Sequence, residues 1–268
     1  MPEICGFSNW TFSDDIHFGN PVYAGRAFTS VLMEFNTLLH LPIDYVGKIE
    51  ILYSDKWPMT VPRNFLVNGH TIPGYQIKLN PSDPGDLRKI IYQFSHEVNH
   101  VILKAKYDLL GSQFLWIYEM LCQLAVLIIT SVITDVIKDE DLNLSVGDLQ
   151  EYHERICNSI PNVDISCFIA NIESNKSQLK SVPLLDTATM MYDTWIETYI
   201  DPLSKCIFRS IQKDLSQWQM IKALIDFDYN APQSYRDFFT KWRDEAIKKS
   251  LPCCFLEQLF SVQVPPDR

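Results

Sequence analysis

Residues 96–100 read His-Glu-Val-Asn-His. On a helix, positions i and i+4 share one face, so His96 and His100 can turn two imidazoles toward a single ion. Glu97 stands about a third of a turn away, where it can take a proton from water without ligating the metal. A catalytic zinc site needs a third protein ligand and an open fourth position. Residues 101–107 read VILKAKY, so no His two turns on completes the set. Between Glu97 and Glu140 the chain has one glutamate, Glu119, with 18 residues between it and His100. A helical hairpin with a short connection would bring Glu119 alongside the His pair.

This arrangement resembles the gluzincins, zinc peptidases with an HExxH helix followed by a ligand Glu on the next helix. The resemblance covers about residues 84–126. It implies His96, His100 and Glu119 as metal ligands, Glu97 as general base and Zn2+ as cofactor. The spacing is similar to that of the aminopeptidase branch, but the chain has no stretch like the GxMEN signature. Family members often place a carboxylate one turn after the ligand Glu, where it orients a ligand His. Here that position is Gln123, whose amide can accept an imidazole N–H bond with less charge assistance. In zincins the strand beside the active-site helix binds substrate by β-augmentation, which points to Tyr75, Ile77 and Leu79 as substrate-binding positions. Tyr118, His153, Tyr192 and Tyr199 are candidates for stabilising a transition state.

The expected activity is a zinc-dependent hydrolase, a metallopeptidase acting on a peptide or protein. Glu97 would deprotonate the attacking water and pass the proton to the leaving amine. The rival expectation is a catalytically silent binding or regulatory protein, stabilised by metal on the same scaffold. Gln123 and the lack of an obvious oxyanion donor favour that rival.

These residues need elements to position them. Residues 22–40 carry apolar side chains at helical spacing and stop before Pro42. Lys48–Tyr53, Arg63–Val67 and Tyr75–Leu79 are short runs broken by Pro58, Pro62, Gly69 and Pro73–Gly74, which predicts a sheet of about three strands between 46 and 80. The HExxH helix is expected from Pro84 to about 107, with Asp83 as N-cap and Asp86 in its first turn. Gly111 and Ser112 then break the chain before a second helix at about 113–137. Further helices are predicted at roughly 148–160, 186–200, 203–227 and 234–249, punctuated by prolines. Strands early and helices late give an α+β fold. The expected division is a zincin-like core at 1–140 and a helical part at 141–268.

The chain has 268 residues and a net charge of −10. That charge argues against nucleic acid as a partner, because phosphate contacts need clustered Lys and Arg. The N-terminus shows no basic stretch followed by an apolar run, and the 7 cysteines are scattered without a CxxC pair. A cytoplasmic protein with free thiols is the expectation. Phe114 to Ile133 is long enough to span a bilayer, but an acid in its first third is costly there. A buried core helix, with no membrane span, is therefore expected.

Overall fold

The computed structural model describes residues 3–13, 15–43, 47–56, 58–81, 83, 85–103, 114–133, 146–180, 194–225, 227–228, 232 and 234–261. Asn68 and Gly69 both take left-handed backbone, with φ of 50° and 81°. A two-residue type I′ turn requires that conformation at both positions. The turn joins β4 (Met59–Val67) to β5 (His70–Leu79) in an antiparallel pair that closes on Val67 opposite His70.

The hairpin is the far end of a five-stranded mixed sheet. β1 (Glu3–Ile4) pairs antiparallel with β2 (Phe7–Phe12), β2 runs parallel to β3 (Lys48–Tyr53), and β3 runs parallel to β5. The strand order is β1-β2-β3-β5-β4, so β1 and β4 are the edges. At the β3–β5 seam Gly74 sits opposite Lys48, and a Cβ there would collide with the Lys48 carbonyl oxygen. Only glycine allows the two backbones this approach. The alternation of the strands aims Trp10, Phe12, Ile49, Ile51, Ile77 and Leu79 at one face, and all six are buried.

Two helices cover that face. α1 (Pro21–Leu39) begins with Pro21 behind an Asn20 cap, whose side chain accepts from the Val22 N–H at 2.9 Å. α2 (Leu87–Ile102) buries Ile90, Ile91, Phe94, Val98, Val101 and Ile102 at helical spacing. Phe94 meets Trp10 edge-on at 6.1 Å and Phe28 of α1 at 4.7 Å. Each such buried apolar side chain contributes about 1.5–3 kcal/mol, so the aromatic seam fixes α2 against the sheet.

The remaining helices are α3 (Leu115–Val132), α4 (Val146–Ser159), α5 (Phe168–Ser174), α6 (Lys176–Lys180), α7 (Asp201–Ile211), α8 (Tyr235–Lys248) and α9 (Cys254–Ser261). A π-helical turn, Ile196–Ile200, leads into α7, and a 3-10 run, Leu215–Leu224, follows it. The expected α+β class is what the chain adopts: a small sheet early, helices late.

The chain divides into two units, Met1–Ala105 with Ala125–Ile156, and Lys106–Leu124 with Cys157–Arg268. The dividing line falls inside the continuous helix α3, which belongs to both. The second unit has its own aromatic core, in which Phe239 meets Phe168 at 5.6 Å and Phe238 at 5.5 Å. Trp242 Nε1 donates to the Met220 carbonyl at 2.9 Å there. α3 is long and apolar enough to cross a membrane, and 78% of that stretch is buried within the protein.

Several boundaries differ from the sequence reading. The cap of α2 is Asp86, whose carboxylate accepts from the Arg88 and Lys89 N–H groups at 3.1 and 3.4 Å. Asp83 lies outside the helix, and Pro84 lies outside the described residues. The expected helix at 203–227 ends at Ile211 and resumes as the 3-10 run. The Gly111–Ser112 break and residues 186–193 lie outside the described residues. β1, β2, α5, α6 and α9 were not foreseen.

Candidate metal centre

α2 is buried on most of its circumference, and Arg88, Tyr92, His96 and His100 form its half-buried stripe. Their four-residue spacing stacks them along one line of the helix. The His96 and His100 rings lie 5.0 Å apart between centroids, and their Nε2 atoms are 3.2 Å apart. Two nitrogens bound to one zinc at about 2.0–2.1 Å with a tetrahedral angle stand roughly 3.3 Å apart. The contact is a hydrogen bond between the two rings, and its length is also close to the spacing of two ligands of one ion.

Glu97 turns off this stripe toward the sheet. It is 3% exposed, and Thr60 Oγ1 donates to its Oε2 at 2.8 Å. The same hydroxyl lies 3.1 Å from the Glu97 carbonyl oxygen. Thr60 belongs to β4, opposite Ile77, so the contact ties the edge strand to the helix that carries the histidines. A second tie sets the same spacing. Gln93 of α2 accepts from the Asn80 N–H at 2.9 Å and donates to the Asn80 carbonyl at 2.8 Å, just past β5.

α3 carries Cys122 and Glu119, three residues apart. Cys122 is buried, and Glu119, the expected third ligand, is half-buried. Imidazole and thiolate donors suit zinc and copper alike, so the residue types do not identify the ion. Gln123 follows on the same helix and is buried.

The expected substrate strand needs correcting. Tyr75, Ile77 and Leu79 sit on β5, which is paired along one side with β3 and along the other with β4. Its main-chain groups are engaged on both sides, so it cannot accept a further strand. Ile77 and Leu79 point into the core, and burial raises the Tyr75 phenol above its ordinary pKa. The free edge among the described strands on this side of the sheet is that of β4. Pro62 within β4 suits an edge, since it lacks an N–H.

Of the candidate transition-state groups, His153 is committed elsewhere. Its Nδ1 lies 2.9 Å from Thr130 Oγ1, which packs α4 on α3, and burial lowers its pKa. Tyr118 is buried in α3, Tyr199 lies in the π-helical turn, and Tyr192 falls outside the described residues.

Sequence reasoning missed Thr60 and Cys122. Cys122 had a signal, because it shares a helix face with Glu119 three residues away. Thr60 had none without the β4–β5 register. Compared with known proteins, the chain matches no protein family, no curated protein and no solved structure.

Proposed function

We propose that the chain is a zinc-dependent hydrolase of the metallopeptidase kind, in which His96 and His100 hold the ion and Glu97 is the general base. The observation that carries this reading is the 3.2 Å separation of the two imidazole Nε2 atoms. It matches the roughly 3.3 Å expected of two nitrogens on one tetrahedral zinc. Zinc, when bound, supplies Lewis acidity that polarises a carbonyl and lowers the pKa of water toward about 7. Glu97 takes the proton from the attacking water and returns it to the leaving amine. The resemblance to the gluzincins makes Glu119 the proposed third ligand, and Cys122, three residues on, is a second donor on the same helix. The open edge of β4 offers main-chain hydrogen bonds to an extended chain, which favours a peptide or protein as substrate.

One observation favours a second reading, a metal-stabilised binding protein without catalysis. Glu97 is almost fully enclosed and already holds a hydrogen bond from Thr60. The two readings separate in one experiment. Purified protein is expected to carry about one zinc per chain and to cleave members of a peptide library. Glu97→Gln should keep the zinc and lose about 10²–10⁴-fold in cleavage rate, whereas His100→Ala should lose both. Protein that holds zinc but cleaves nothing supports the binding protein, and protein purified without chelators that holds no zinc ends both readings.

A further inference from the structure

We infer that Thr60 is the residue that keeps the Glu97 carboxylate out of the metal's ligand set. This rests on the reading of His96 and His100 as metal ligands. Glu97 is the neighbour of His96 in the chain, and its side chain is long enough to reach back toward an ion beside that histidine. A carboxylate that did so would fill the position a hydrolase must leave open. The structure holds the carboxylate against β4. Its Oε2 receives the Thr60 hydroxyl at 2.8 Å, and both residues are buried, Thr60 at 7% exposure.

The hydroxyl has a single proton. Between its two acceptors, the carboxylate at 2.8 Å is the stronger and the Glu97 carbonyl lies farther off at 3.1 Å. A hydrogen bond to an ionised oxygen is about twice as strong as a neutral one, and burial strengthens it further. Thr60 is itself held by the β4–β5 ladder opposite Ile77, so it does not follow Glu97 toward the histidines. The hydroxyl thus makes the position of the Glu97 carboxylate against β4 the stable one.

The test is a zinc-affinity cycle, read by competition with a chromogenic chelator and by the visible spectrum of the Co2+-loaded protein. In the wild-type background Glu97→Gln is expected to leave zinc affinity unchanged, because Glu97 is not a ligand. Thr60→Val removes the donor while keeping the shape, and zinc affinity is expected to rise, opposite in sign to the roughly 10–100-fold loss that outer-shell changes usually bring. Its Co2+ spectrum should move from a four-coordinate toward a five-coordinate form. Adding Glu97→Gln to Thr60→Val should cancel both changes, and Thr60→Ser should behave as wild type. If Thr60→Val does not fold, Thr60→Cys, similar in size with a weak donor, takes its place. An unchanged affinity and spectrum in the Thr60 variant overturns the inference and leaves the metal site standing, as does a change that persists without Glu97. Wild-type protein that binds neither metal overturns the metal site, and the role of Thr60 falls with it.

Discussion

Glu119 and Cys122 lie three residues apart on α3, and they differ in what they ask of a metal. A carboxylate binds zinc at about 2.0–2.2 Å, and a thiolate at about 2.3 Å once deprotonated. Soft thiolate ligands select zinc, and Cys122 is buried where Glu119 is only half-buried. Cys122→Ser is therefore expected to weaken zinc binding by more than the 10–100-fold typical of outer-shell changes, while Glu119→Gln costs less. Chelator competition on the two variants decides it, and the reverse order would return the third position to Glu119. The His pair was legible because its spacing matches the helical repeat, so two residue types in five positions define a geometry. Cys122 was passed over because a cysteine in an apolar helix reads as a small hydrophobe. Thr60 was invisible for a different reason: its partner is 37 positions away, and no local pattern encodes that separation.

α2 works as a bracket for the site only if its first turn is in place. Asp86 satisfies two N–H groups there and also meets Arg88 Nε at 3.2 Å. Asp86→Ala is expected to cost about 0.5–2 kcal/mol in denaturant unfolding, whereas Asp83→Ala should change stability little. Equal costs for the two would restore Asp83 as the cap. The sequence offered both acids within one turn, and choosing between them depends on where the preceding chain turns. The β4–β5 hairpin turns on Asn68–Gly69, since few other residue pairs tolerate two left-handed positions, and the sequence reading marks only Gly69 of the two as a break. β2 was not announced. Its buried residues are Phe7, Trp10 and Phe12, and the adjacent exposed Ser8 and Asn9 interrupt the alternation that marks a strand. The order β3-β5-β4 was also hidden, because parallel pairing of β3 with β5 skips the strand between them in sequence. That skip moved the free edge from Tyr75–Leu79 to β4.

For the molecule as a whole, acid acts through two groups of residues at different pH. His153 is held neutral by burial, its pKa lowered from 6.5. Thr130 Oγ1 donates to the Val126 carbonyl at 2.7 Å, so it serves His153 as an acceptor for the Nδ1 proton. A histidine with a depressed folded pKa adds stability that is present above the unfolded value and lost as pH falls toward the folded one. The unfolded chain takes up the proton first, so the loss begins near 6.5. The carboxylates act lower. The His17 N–H holds Asp15 below 3.8, the Ser166 hydroxyl does the same for Asp164, and the Gln217 amide for Asp214. Their contribution is intact above 3.8 and disappears as they protonate. Thermal unfolding followed from pH 7.5 downward should thus show one decline beginning near 6.5 and a second below about 4. His153→Asn, which can still donate an amide N–H to Thr130, should flatten the first decline and leave the second. A variant whose melting temperature tracks wild type throughout would remove His153 from the account.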